Sequence, residues 1–233
     1  MQGVETLQKT VYAAMERDDV AALVPVTARR ILDVGCGAGN LAAALKRRDP
    51  SVHVVGVEMS RELAALARPK LDGILIGTLE DHLAELPDGG FDCVVFADVL
   101  EHMINPYGVL LDTRPKLVEA GVVVASIPNV RHWSLLRELV VRGRWGYAER
   151  GLLDSGHVRF FTRHDIEAMF RWAGYQVEIA HVVGAAPRPL WWANRLMQGR
   201  LMPFIAYQYL AVAHPLPGSY EPSETWWARG AVL

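Results

Sequence analysis

Short apolar runs alternate along the chain with stretches whose apolar residues recur every three or four positions, and turn-forming residues separate the two. Runs of the first kind read as buried strands and stretches of the second as amphipathic helices. Their alternation predicts an α/β fold, a doubly wound, mostly parallel sheet with helices on both faces. The run ending at Val34 is the first strand. A helix over Leu41–Arg48 follows, with Lys46, Arg47 and Arg48 at its negative end and Pro50 beyond it. Val52–Val57 is the second strand; Ser60 caps the next helix and Pro69 ends it. Gly73–Thr78 and Phe91–Asp98 are the third and fourth. Asn105-Pro106 opens a helix that Pro115 kinks or splits, and Gly121–Ile127 is a fifth strand closed by Pro128-Asn129. Thr162 caps a helix whose buried stripe is Ile166, Met169, Phe170 and Ala173, with Gly174 at its C-cap. Tyr175–Val183 and Ala206–Ala213 are two further strands.

Composition narrows the class without naming a function. At 233 residues and 51% hydrophobic, the chain supports a sizeable core and a single domain over 1–233. A net charge of −2, with no basic run carrying interleaved aromatics, gives no case for nucleic acid. Cys36 and Cys93 offer neither a disulfide framework nor metal-ligand spacing, so no metal is expected. There is no apolar run of transmembrane length and no signal-peptide pattern, which leaves cytoplasmic residence as the expectation.

Chemistry concentrates where the first strand stops. Asp33-Val34-Gly35-Cys36-Gly37-Ala38-Gly39 sets three glycines at alternate positions, which suits a tight turn with a ligand lying against the backbone. Glu58, at the end of the second strand, is placed to accept hydrogen bonds from both ribose hydroxyls of a nucleoside. A dinucleotide fingerprint requires G-x-G-x-x-G, and here Asn40 replaces the last glycine. Asp33 would repel a pyrophosphate but suits an ammonium group. A nicotinamide oxidoreductase is therefore disfavoured, and a ligand with an adenosine end and an amino-acid end fits better.

The Asp33–Gly39 block, with the later Phe91-Asp92-Cys93-Val94-Val95-Phe96-Ala97-Asp98-Val99-Leu100-Glu101-His102, resembles the class I S-adenosylmethionine-dependent methyltransferases over roughly residues 28 to 180. The resemblance implies a seven-stranded Rossmann-like sheet with an antiparallel last strand. It also implies S-adenosylmethionine as methyl donor, with S-adenosylhomocysteine as product. Its cofactor positions lie past the strand ends: Asp33, Gly35, Cys36, Gly37, Gly39, Asn40, Glu58, Met59, Thr78, Leu79, Glu80, Ala97 and Asp98. Asp33 would take the methionine ammonium, Glu58 the ribose, and Met59 and Leu79 the adenine faces. Relatives often carry Gly-Asp where this chain has Gly77-Thr78, which puts recognition of the adenine amino group there in question.

Residues 129–161 form a long connection above the ligand end of the sheet, the expected position of a substrate lid. Ser126-Ile127-Pro128-Asn129-Val130-Arg131-His132-Trp133 and Gly151 to Thr162 resemble a methyltransferase subgroup associated with glycan, sugar-nucleotide and polar-metabolite modification. Ubiquinone-pathway O-methyltransferases are more distantly similar, mainly through Val99-Leu100-Glu101-His102. A general base for a hydroxyl acceptor would come from His157, then His132, then His102, with Asp154 placed to orient His157. Arg131 and Arg159 suit an anionic substrate group, although Arg159 could instead pair Asp154. Asn129, Trp133, Trp145 and Tyr147 complete the substrate candidates; the aromatics could stack on a sugar or fill the lid core.

These readings converge on an S-adenosylmethionine-dependent methyltransferase acting on a hydroxyl of a small polar acceptor, with a sugar, sugar nucleotide or glycan precursor foremost. The alternatives are N-methylation of an amino sugar or other small amine, and a non-catalytic cofactor-binding regulator. Leu190-Trp191-Trp192 and a tail over 214–233 with Trp226 and Trp227 add aromatic density outside the core. Packing against the sheet edge is the expectation there, with a partner subunit (a homodimer) or a membrane surface as alternatives.

Overall fold

The computed structural model describes residues 17–183, 186–218 and 220. One seven-stranded sheet runs in the order β3-β2-β1-β4-β5-β7-β6. Strands β1 (Arg30–Val34), β2 (His53–Glu58), β3 (Gly73–Ile76), β4 (Phe91–Ala97) and β5 (Leu117–Pro128) are parallel neighbours. β7 (Ala206–Pro215) pairs antiparallel with both β5 and β6 (Tyr175–Val183). The strand order reverses between β1 and β4, which opens a crevice at their carboxyl ends.

Adjacent residues of one strand feed opposite cores. Leu32, Val94 and Val123 join one buried cluster, and Ile31, Val95 and Val124 the other. Such continuous apolar strands are what a sheet covered on both faces requires, and each fully buried aliphatic side chain contributes roughly 1.5–3 kcal/mol.

The helices are α1 (Asp18–Ala21), α2 (Asn40–Arg48), α3 (Arg61–Ala67), α4 (Leu79–His82), α5 (Pro106–Thr113), α6 (Trp133–Leu136), α7 (Arg163–Trp172), α8 (Arg188–Leu196) and α9 (Met202–Ile205). Their ends follow local chemistry. The Ser60 hydroxyl accepts from Leu63 N at α3, and Asn105 accepts from Gly108 N at α5. Thr162 and Asp165 form a reciprocal capping box at α7. Pro115 splits the chain as expected: α5 stops at Thr113 and a 3₁₀ turn spans Arg114–Lys116.

Several elements differ from the hydrophobic pattern. β5 starts at Leu117 rather than Gly121, because Leu117 pairs with Phe91 while Glu119 and Ala120 stay exposed. The long connection over 129–161 itself holds one α-turn at Trp133–Leu136 followed by a π-turn over Arg137–Val141. α8 and α9 fill a segment to which the pattern assigned no element. β7 continues through Pro215, so part of the predicted tail is strand; Trp226 and Trp227 lie outside the described residues.

Candidate active site

A cavity of about 740 Å³ opens at the carboxyl ends of β1, β2, β3 and β4. The glycine turn forms its floor. Gly35 N and Cys36 N donate to Val57 O at 2.8 and 3.1 Å, and Gly37 N donates to Glu58 Oε2 at 2.9 Å, so the turn is tied to the end of β2. Gly37 has φ 54° and a Cβ there would meet no protein atom within 4 Å: the free space belongs to the cavity. Gly39, predicted as a cofactor residue, is instead a packing residue off the cavity wall. It adopts φ 74° at the N-cap of α2, and a Cβ would sit 3.1 Å from Ala67 Cα, so glycine lets α2 close on the end of α3. Lys70 Nζ fastens the turn from outside through Ala38 O and Asn40 Oδ1.

Asp33 is 2% exposed, and its Oδ2 has no hydrogen-bond partner among the described residues. Burial pushes its carboxyl up to about 7; Arg17 opposes the rise and Glu58 adds to it. Arg17, which no sequence motif marks, enters the cavity from ahead of α1. Its Nη1 donates to Asp98 Oδ2 at 2.6 Å, and its buried Nη2 has no partner among the described residues. The cavity thus presents an unsatisfied acceptor and an unsatisfied cationic donor, the complement of an amino acid's ammonium and carboxylate. Glu58 accepts from Gly37 N and from Ser60 N (2.8 Å) and faces the same space.

The remaining cofactor candidates line the cavity with different degrees of freedom. Cys36, Asn40, Met59, Thr78, Leu79, Glu80 and Ala97 all border it. Met59 is largely exposed at the rim, whereas Leu79 is a buried core residue that also reaches the wall. Thr78 exchanges three hydrogen bonds with Asp81, two of them through its hydroxyl, which is thereby engaged in capping α4. Asp98, at φ 57°, borders the cavity, but its carboxylate accepts from Arg17, Ser126 and Gln208; it acts on protein donors rather than waiting for a ligand.

On the acceptor side, His102, Met103, Ile104, Asp154, Ser155 and Gly156 form the wall. The predicted order of histidines changes here, because His102 is the one of the three that borders the cavity. Its Nδ1 contacts Gly156 O at 3.0 Å; a carbonyl only accepts, so Nδ1 carries a proton, and in the neutral ring the lone pair is on Nε2. His157 stands behind it, rings 4.7 Å apart and edge-on, and its Nδ1 meets Leu152 O at 3.2 Å. His157 Nε2 lies 3.9 Å from Glu101 Oε1, and both Glu101 oxygens are buried without a hydrogen bond among the described residues. Burial, reinforced by Asp98, pushes the Glu101 carboxyl well up, while burial and then His102 push His157 down, so both favour their neutral forms. Glu101, His102 and His157 also bring one potential metal-ligand atom each within 4.8 Å of one another.

Most predicted substrate contacts have other work. Asn129 is fully buried: its Nδ2 donates to Pro203 O and Ala206 O, and its Oδ1 accepts from Arg131 N, so it ties the lid entry to α9 and β7. Arg131 lies over the Phe204 ring at 4.7 Å, and Arg159 clamps Ile104 O through Nε and Nη2 at 3.1 and 2.5 Å. Asp154 borders the cavity, but its Oδ1 accepts from Gly156 N, so it shapes the turn. His132 is buried against Ser134 and Tyr207, and burial pushes it down. Trp133 lies under Arg137 and Trp145 meets Phe160 edge-on, while Tyr147 is exposed; none of the three borders the cavity. A second cavity, of about 800 Å³, lies at the opposite end of the strands. Its Lys116 is already bonded to Asp88, and its Arg114 to backbone carbonyls.

A family model described as a methyltransferase domain matches residues 8–179. A ubiquinone biosynthesis O-methyltransferase of Xylella fastidiosa is 31% identical over 225 residues, covering 88% of this chain and 82% of that protein. Among solved structures, a SAM-dependent methyltransferase from Archaeoglobus fulgidus aligns with a TM-score of 0.65 at 16% identity, covering 90% of this chain and 98% of that one. The plantazolicin methyltransferase BpumL, solved in complex with SAH, aligns with a TM-score of 0.56 at 16% identity, over 89% of this chain and 82% of its own. The two structures share the seven-stranded fold.

Proposed function

The chain belongs to the class I S-adenosylmethionine-dependent methyltransferases, and from that premise we propose that it methylates a hydroxyl of a small, uncharged acceptor. The observation that carries the reading is the pair of unsatisfied groups in one cavity, Asp33 Oδ2 and Arg17 Nη2. Asp33 binds the ammonium of the donor's methionine moiety and Arg17 its carboxylate. Glu58, with lone pairs left beyond the two amides it receives, binds the ribose, and Gly37 leaves room for the chain of the ligand to lie on the turn. The bound sulfonium supplies an already activated methyl, so the protein's task is alignment and exclusion of water.

His102 is the base in this reading. Gly156 O fixes its tautomer, which leaves Nε2 free to take the acceptor's proton as the oxygen attacks. His157 and the neutral Glu101 hold that ring from behind. The acceptor wall carries neither a stacking ring nor a free guanidinium among the described residues, which argues against an anionic acceptor and weakens the sugar reading. The relatives' names make a hydroxyl on a ubiquinone-pathway intermediate the first acceptor to try, and the lid motifs make uncharged sugars the second.

Purified protein incubated with methyl-labelled donor and a panel of phenolic, sugar and amine acceptors tests the proposal. Acceptor-dependent label transfer to oxygen, lost in His102→Ala, is expected. Transfer to amines that survives His102→Ala would replace this reading with N-methylation. Donor binding without turnover on any acceptor would favour a regulatory role.

A further inference from the structure

α8 is amphipathic in the wrong direction for a helix that packs on its own sheet. Trp192 is 71% and Leu196 85% exposed, one turn apart on the same outward stripe, and Trp191 and Met197 flank them. The buried residue of the helix is polar: Asn194, whose Oδ1 accepts from Leu201 N at 3.0 Å. Arg188, Arg195 and Arg200 are exposed beside the stripe, and none has an ion-pair or hydrogen-bond partner among the described residues. No Asp or Glu occurs between Glu178 and Glu221. Trp192, expected to pack against the sheet edge, is therefore turned outward instead.

We infer that α8 docks the protein on an anionic lipid surface. Outward Trp and Leu insert at the level of the headgroups, where an indole can keep both an apolar and a polar contact, and the flanking guanidiniums meet lipid phosphates. The charge pattern argues against a second copy of this chain as occupant. A two-fold contact through α8 would set three cations against the same three with no carboxylate to separate them. The location gives the docking a sense. α8 follows the carboxyl end of β6, and α9 beside it is bonded to Asn129 at the lid entry, so the end of the sheet that carries the cavity would border the bilayer.

The test uses the full chain with vesicles of phosphatidylcholine alone or mixed with phosphatidylglycerol, read by co-sedimentation and tryptophan emission. Expected are partitioning onto the anionic vesicles, a blue shift, and loss of binding in high salt. Trp192→Glu with Leu196→Glu should reduce partitioning at least about tenfold, and Arg188, Arg195 and Arg200 changed together to Gln by about 100-fold. Neither set touches the cavity, so affinity for S-adenosylhomocysteine and melting temperature should hold. Equal binding to both vesicle types, no binding at low salt, or a dimer that the Trp192/Leu196 pair dissolves would each overturn the inference.

Discussion

Replacing Asp33 by Asn should make the ligand-free protein more stable while removing its hold on the donor. Burial raises the Asp33 carboxyl from 3.8 to about 7, a difference worth about 4 kcal/mol between its charged and neutral forms. The sign follows from proton counting. Between pH 4 and 7 the folded chain keeps a proton that the unfolded chain has released, so stability falls as pH rises through that window and levels off above it. Asn carries no charge and removes this penalty, but its unmet hydrogen bonds cost about 1–3 kcal/mol of the gain. At pH 8 the variant should be roughly 1–3 kcal/mol more stable, with a melting point higher by about 2–4 °C for each kcal/mol. That advantage should shrink by about 2.5 kcal/mol at pH 5. Titration calorimetry supplies the other half. Wild-type affinity for S-adenosylhomocysteine should drop about tenfold from pH 8 to pH 6 as Asp33 protonates, whereas the variant should bind weakly and without that slope. A stability difference that stays constant with pH, or an Asp33→Asn variant that binds the ligand as tightly as wild type, would refute the reasoning.

Other substitutions probe the remaining parts. Arg17→Gln should weaken S-adenosylhomocysteine binding by about 1.5–3 kcal/mol in calorimetry, the range for a hydrogen bond to a charged group. Gly37→Ala and Gly39→Ala both strain a left-handed residue by about 1–2 kcal/mol, but the first should mainly lower ligand affinity and the second mainly lower the melting temperature, because only the second meets Ala67. His102→Ala should cut turnover about 10²–10⁴-fold at saturating donor with donor affinity kept; His157→Ala should cost less, and the reverse order would return the base to His157. Asn129→Ala removes two bonds to backbone carbonyls, so thermal unfolding should show a loss of about 1–3 kcal/mol.

Local rules carried far along this chain because its strands are buried on both faces. Apolar runs therefore marked β1, β2, β4 and β6 closely, and the glycine turn declared itself through spacing that only a close ligand or a tight helix contact demands. The same rules could not separate those two demands: Gly37 and Gly39 look alike in sequence, and only the approach of Ala67 distinguishes them. Arg17 was invisible for a related reason. A single arginine ahead of the first strand has no pattern, and its meaning arises from contact with Asp98, distant in sequence. The lid motifs misled about roles, since Asn129, Arg131 and Arg159 occur in a recognisable string yet bind carbonyls and a ring instead of facing the cavity. Exposed Trp192 reversed its expectation because apolar periodicity gives the width of a helical stripe but not its direction.

The position of β7 between β5 and β6 sets the order in which this protein can be completed. β6 precedes β7 along the chain, yet its sole neighbour in the sheet among the described residues is β7. A nascent chain that has emerged only through Val183 therefore holds β6 with an unsatisfied ladder, beside a β5 edge that is still open. Closure must wait for Ala206–Pro215 to slot in, so a later segment stitches two earlier ones together. Interruption of synthesis before that point should leave a species prone to aggregation through the β5 edge, and refolding should be gated by this late, long-range pairing.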